Sequence, residues 1–184
     1  MADLTGKKIL SLQTNRGVEQ DELKVPLEKL REAGATVTVA SQENGEIQSL
    51  VGDWDLGETF PVDQKISDVN ESEYDLLLLP GGTLNADTLR LDEDAQKIAQ
   101  AFASSGRPIA SICHGPWLLV ETGLVNGKTL TSHDSVKVDI TNAGGTWVDE
   151  PMKRCPAKDW VLITSRNPGD LEPFVQAIED ELTA

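Results

Sequence analysis

The sequence predicts an α/β fold, a mostly parallel sheet with helices on both faces, formed by one domain spanning residues 1–184. Three observations predict it. Apolar and β-branched runs alternate along the chain with stretches of helical spacing. One run, Tyr74-Asp75-Leu76-Leu77-Leu78-Leu79-Pro80, is apolar throughout after its start, as a strand covered on both faces must be. A chain of 184 residues sustains one core comfortably and would cramp two.

The elements follow in order. Lys7 to Leu12 is a short apolar strand, and Glu19 to Ala33 carries Leu23, Val25, Leu27, Leu30 and Ala33 at roughly helical spacing before Gly34. Ala35 to Ala40 is rich in β-branched residues and forms the second strand. Asn44-Gly45 is a turn signal, so a hairpin with Ile47 to Val51 is expected. Trp54 to Ile66 has no clear period, and its Gly57 and Pro61 predict irregular strand pieces within a loop. The leucine-rich run ending at Leu79 is the central strand. Asp92 to Ser105 reads as a helix capped by Asp92, with Ala95, Ile98, Ala99 and Phe102 inward and Gly106 as its stop. Arg107 to Ile112 returns to strand, and Gly115 to Thr122 to helix. Beyond lie strands at Lys128 to Thr131, Thr146 to Val148 and Trp160 to Ser165, with helices at Asp134 to Ala143 and Pro168 to Leu182.

Composition excludes several function classes. The net charge of -15 repels phosphate backbones and the 16 basic residues are scattered, so no nucleic-acid partner is expected. No apolar run approaches the roughly 20 residues of a membrane helix, and no membrane partner is expected either. The start, Met1 to Lys8, lacks the order of a secretory signal, and two cysteines are too few to staple a secreted scaffold. A cytoplasmic location is the expectation. The two histidines and two cysteines lack paired metal-ligand spacing, and Gln13-Thr14-Asn15-Arg16-Gly17 makes a poor phosphate cradle. Neither metal nor cofactor is expected. The acidity itself fits a well-solvated surface or a salt-rich habitat alike.

In open parallel sheets, ligand sites gather outside the carboxyl ends of the strands. Three segments end there: Gln13 to Glu19, Gly81-Gly82, and Cys113-His114-Gly115. Cys113 sits at a strand-to-helix junction, where helix N–H groups and partial positive charge favour a thiolate. A buried, inert cysteine is the other reading of the residue type. A turn built of small residues after an apolar strand packs poorly in a core and suits a nucleophile elbow, which favours reactivity.

The chain is similar over nearly its whole length to the ThiJ/PfpI superfamily, and most to its PfpI-type branch of intracellular cysteine proteases and general stress proteins. The similarity rests on Gly17-Val18-Glu19 with Glu22-Leu23, on Leu79-Pro80-Gly81-Gly82, on Ala110-Ser111-Ile112-Cys113-His114-Gly115-Pro116, and on Asn142-Ala143-Gly144 before Trp147-Val148-Asp149. This resemblance implies a flavodoxin-like three-layer sandwich with Cys113 as nucleophile and His114 directly after it. It implies that Glu19 approaches the sulfur, where a protonated carboxyl could donate to a thiolate or sulfinate. A first-turn carboxylate is favourable to a helix in any case. Adjacent side chains on a tight turn point apart, so activation of the thiol by His114 within one subunit does not follow, and a helix-capping role stands beside it. Gly82 and the N–H of His114 are candidate oxyanion donors, because glycine admits close backbone approach. In the PfpI-type branch an acid shortly after the glycine pair reaches a histidine of the neighbouring subunit. Asp87 is the nearest match, in a loop one residue longer, and it equally suits a helix cap.

His133 falls where relatives carry an aromatic residue at the pocket rim. It reads either as a second imidazole that moves protons or as a surface-loop histidine. Cys155 can resolve an oxidised Cys113 only if the fold joins them. No histidine follows His133, which excludes the class I glutamine amidotransferases. Two functions are expected. One is cysteine-dependent hydrolysis of peptides or amides, or glyoxalase III-like and deglycase-like handling of small reactive carbonyl compounds. The other is a non-enzymatic stress sensor acting through oxidation of Cys113. The resemblance also implies a homodimer or a larger homo-oligomer.

Overall fold

The computed structural model describes residues 2–184. In chain order the elements are β1 (Lys8–Leu12), β2 (Arg16–Glu19), α1 (Gln20–Glu32), β3 (Thr36–Ser41), β4 (Glu46–Val51), β5 (Asp55–Pro61), β6 (Gln64–Lys65), β7 (Leu76–Leu79) and α2 (Thr83–Leu89). They continue as α3 (Glu93–Ser104), β8 (Ile109–Ile112), α4 (Trp117–Glu121), β9 (Thr129–Leu130), α5 (Lys137–Asn142), β10 (Thr146–Trp147), β11 (Lys153–Cys155), β12 (Leu162–Ser165) and α6 (Leu171–Thr183). The seven-stranded main sheet runs β11-β12-β8-β7-β1-β3-β6. Every pairing in it is parallel except that of β11 with β12. This is the expected flavodoxin-like α/β sandwich.

Each sheet face has its own core. Ile9, Leu76, Leu78, Ala110, Ile112 and Ile163 pack with Leu23, Leu27 and Leu30 of α1 and Phe174, Val175 and Ile178 of α6. Leu10, Leu12, Leu77, Leu79, Ile109 and Leu162 pack with Ile98, Ala99 and Phe102 of α3, and with Leu118, Leu119 and Ile140. Neighbouring residues of one strand thus serve opposite cores, and this double burial is why β7 carries leucine at every position. The α3 cap is as expected, with the Asp92 carboxylate accepting from the Ala95 N–H at 3.0 Å.

Two expectations change. The hairpin does not form around Asn44-Gly45, because β3 belongs to the main sheet whereas β4 joins β2 and β5 in a separate three-stranded sheet. The hairpin is instead β4–β5, and the stretch expected as irregular strand pieces supplies its second arm as one strand, with Ile47 opposite Phe60 and both buried. Its tip, Gly52-Asp53, takes positive φ at both residues, +64° and 61°, as a tight hairpin turn of matching twist requires. The helix expected over Gly115 to Thr122 shrinks to the five residues of α4, since the preceding turn continues through Pro116. No helix among the described residues is long and apolar enough to cross a membrane.

Candidate active site around Cys113

β8 ends at Ile112, and Cys113 takes φ 62°, a left-handed conformation that costs an L-residue about 1–2 kcal/mol. Its neighbours hold the strain in place. The Cys113 N–H donates to Ser165 O at 3.0 Å, and the Cys113 carbonyl accepts from the His133 N–H at 2.9 Å. Gly115 is obligatory, because a Cβ there would stand 2.6 Å from Leu79 O. The result is an elbow that lifts the thiol out of the strand line toward the floor of a cavity of about 290 Å³, lined by Glu19, Glu22, Asp53, Cys113, His133 and Asn167 among others.

The resemblance implies Glu19 beside the sulfur. The structure places Glu22 there. Glu22 lies on the buried face of α1 with Leu23, Pro26, Leu27 and Leu30 and is fully buried. One carboxyl oxygen, Oε2, accepts the Gly81 N–H at 2.7 Å, and the carboxyl stands within hydrogen-bonding reach of the Cys113 thiol. Its other oxygen, Oε1, has no partner. Glu19, at the helix N-cap, turns away to accept from the N–H groups of Gly52 and Asp53 at 2.9 and 3.2 Å. It anchors the hairpin tip at the cavity wall. A carboxylate on an otherwise apolar helical stripe is the signal in the sequence that singles out Glu22.

Burial pushes the Glu22 carboxyl well above its ordinary range, so it holds its proton where an exposed glutamate would not. Burial also raises the Cys113 thiol, a Glu22 carboxylate raises it further, and the backbone N–H groups of Gly82 and His114 pull it down. The expected stabilisation by a helix start is therefore outweighed, since α4 is short and begins only at Trp117. Cys113 and Glu22 form a coupled pair in which ionising one opposes ionising the other. A thiolate becomes accessible when Glu22 carries the proton, because the second cause of the upward shift then vanishes and a donor replaces it.

The glycine pair is shaped for this contact. A Cβ on Gly81 would meet Glu22 Oε2 and come within 2.8 Å of Cys113 Cβ, and Gly82 takes φ +88°. His114 follows Cys113 yet does not diverge from it. Its Nδ1 lies 3.1 Å from Sγ, against the expectation that neighbours on the turn point apart. The positive φ of Cys113 rotates the two side chains to one side. His133 is not a free surface histidine either, for its ring stacks on that of His114 with centroids 4.5 Å apart. Burial first and His133 second lower the His114 pKa to about 4.

Asp87 is exposed on α2 and is not that helix's cap, a position Gly82 holds. Cys155 lies on edge strand β11 opposite Leu162, the first residue of β12, whereas Cys113 bonds Ser165, the last. The two sulfurs are separated by roughly 10 Å along the strands and about 10 Å across them, too far for a disulfide. Three further candidates besides Glu22 carry no local signal in the sequence: Thr83 and Ser135, which face His114, and Asp53, which accepts from Thr83. Among the described residues no cluster of three His, Cys, Asp or Glu side chains suits a metal ion.

A family model described as the DJ-1/PfpI family matches residues 7–181. The chain is 38% identical over 169 residues to the deglycase PfpI of Pyrococcus furiosus, covering 92% of this chain and 95% of that protein. It is 37% identical to general stress protein 18 of Bacillus subtilis, covering 92% and 94% of the two chains. Among solved structures, DJ-1beta of Drosophila melanogaster superposes with a TM-score of 0.84 at 29% identity, covering 96% of this chain and 90% of that one.

Proposed function

The chain belongs to the DJ-1/PfpI family, and from that premise we propose that it is a cytoplasmic stress-response enzyme whose Cys113 thiol acts on small reactive carbonyl compounds and their adducts. One observation carries the reading: Sγ stands 3.1 Å from an imidazole nitrogen at the floor of a cavity of about 290 Å³. That volume suits a small aldehyde or a modified side chain better than a folded peptide segment. The names of the Pyrococcus and Bacillus relatives, a deglycase and a general stress protein, support the same reading.

With a 2-oxoaldehyde as substrate, sulfur forms a bond to the aldehyde carbon and the carbonyl π electrons move onto oxygen. The thiol proton passes to His114 Nδ1 and then to that oxygen, giving a hemithioacetal. While charge develops there, the N–H groups of Gly82 and His114 are the candidate donors. Shift of the aldehyde hydrogen to the neighbouring carbon, with the hydroxyl proton passing to the oxygen of that carbon, gives a thioester, and water releases a 2-hydroxy acid and the free thiol. The sum is substrate plus water, with no external oxidant or reductant and no cofactor. An amide or peptide bond would use the same first step, with an amine as leaving group.

The test is methylglyoxal consumption with lactate as product, by purified protein and its Cys113→Ser variant. Lactate from the first and none above background from the second are expected; equal rates would reject the proposal. A second reading, protection through oxidation of Cys113, is favoured by the unpartnered Oε1 of Glu22, which a protonated carboxyl could direct at an oxygen added to sulfur. We also expect a homodimer or larger homo-oligomer, with exposed Asp87 offered to a second copy. Light scattering on the eluting protein checks this, and a monomer would end that role for Asp87.

A further inference from the structure

The hydrogen bonds around His114 determine which of its ring nitrogens carries the hydrogen. On one side stands Ser135. Its backbone N–H donates to Nδ1 of His133 at 3.2 Å, so that nitrogen is bare. Its Oγ lies 2.8 Å from the same nitrogen and 3.0 Å from Nε2 of His114. A serine hydroxyl has one hydrogen. Given to the bare nitrogen of His133, it leaves Oγ an acceptor toward His114; given to His114, it would leave two lone pairs facing across 2.8 Å.

On the other side stands Thr83. Its N–H and its hydroxyl both donate to the Asp53 carboxylate, at 2.8 and 2.7 Å. A carboxylate only accepts, so the threonine hydrogen is committed and Oγ1 faces Nε2 of His114, 3.4 Å away, with a lone pair. Two hydroxyls from different parts of the chain thus require the hydrogen on Nε2. The remaining nitrogen, Nδ1, keeps its lone pair and lies 3.1 Å from Sγ.

We propose that Ser135 and the Asp53–Thr83 pair are positioning residues that hold His114 in the Nε2–H tautomer, so that Nδ1 takes the Cys113 proton within a single chain. In the transfer the S–H bond breaks, its electron pair stays on sulfur, and the proton bonds to Nδ1. The imidazolium then donates from Nε2 to the two hydroxyls, with the Asp53 charge behind Thr83. Asp53 thereby places an acid of the same chain behind the imidazole. The hairpin explains its placement, since the tip holds Asp53 at φ 61° and Glu19 pins the tip by its N–H groups. The depressed pKa of His114 agrees, because the ring then enters the transfer uncharged.

This inference rests on Cys113 being the reacting group, as in the proposed function, but its readout does not depend on turnover. Two-bond 1H–15N correlation spectra of the full chain with 15N-labelled histidine report each tautomer directly. At pH 7, His114 is expected to be protonated on Nε2 alone. Thr83→Val with Ser135→Ala should populate both tautomers and slow alkylation of Cys113 by iodoacetamide about tenfold, while Ser135→Thr, which keeps the hydroxyl, should behave as the parent. A parent His114 protonated on Nδ1 or on both nitrogens would overturn the proposal, as would a folded double variant with tautomer and alkylation unchanged. If the double variant does not fold, the parent spectrum decides alone. Failure of methylglyoxal turnover with the expected spectra would reject the carbonyl reading and leave this one intact.

Discussion

Cys113 and Cys155 have the same exposure, 6% each, and almost nothing else in common. Cys155 sits in a regular antiparallel edge strand, where its sulfur accepts the Thr129 N–H at 3.3 Å. Beside it the buried Lys128 ammonium donates to the carbonyls of Cys155, Ala157 and Trp160 and lies 3.8 Å from the centre of the Trp160 ring. The donors and acceptors of that region are matched. Around Cys113 they are not: a buried carboxyl oxygen lacks a partner and a cavity opens over the sulfur. Exposure therefore does not mark the reactive thiol. Unmatched polar groups held rigidly around it do.

The two cysteines should differ most in activity. Cys113→Ser is expected to lower methylglyoxal turnover at least about 100-fold and Cys155→Ser less than about twofold, measured by lactate formed. Comparable losses would mean that the two regions are not distinct. In stability the Cys155 region should dominate. Lys128→Met leaves three carbonyls without their cation and is expected to cost about 3 kcal/mol in urea unfolding, whereas Cys113→Ser should cost under about 1 kcal/mol.

Oxidation comes third. At limiting peroxide, peptide masses should show oxygen on Cys113 at about ten times the level on Cys155, because the former lines a cavity. The smallest effect is in the pH dependence of stability. Glu22 has a raised folded-state pKa, so its contribution is fully present below about 4.5 and is lost as pH rises through the raised value. His114 acts oppositely: with a pKa lowered from 6.5 to about 4, it loses stability as pH falls through that interval. Glu22→Gln removes the alkaline loss, so its melting temperature relative to the parent should climb by about 3 °C between pH 5 and pH 8.

The alternation of strands and helices was legible because β7 and α3 announce themselves locally, one by four consecutive leucines and the other by its cap and apolar stripe. The β4–β5 hairpin was not, since Trp54 to Ile66 gains its order by pairing with β4 across a turn whose positive φ values leave only Gly52-Asp53 as a trace. At the site, Cys113 was legible from its elbow. The resemblance implies Glu19, which shares one acidic first turn with Glu22, and only the direction in which α1 buries its face separates the two. Asp53, Thr83 and Ser135 reach His114 from positions 61, 31 and 21 residues away in the chain, a juxtaposition that no local pattern carries.

Glu22 and Cys113 ionise as a pair. The most direct test of this coupling is the rate of Cys113 alkylation by iodoacetamide followed against pH in the parent and in Glu22→Gln, with Cys155 replaced by serine in both. Two steps are expected in the parent, as for coupled groups, and a single step in the variant, the upper one having disappeared with the repelling carboxylate. Superimposable profiles would contradict it.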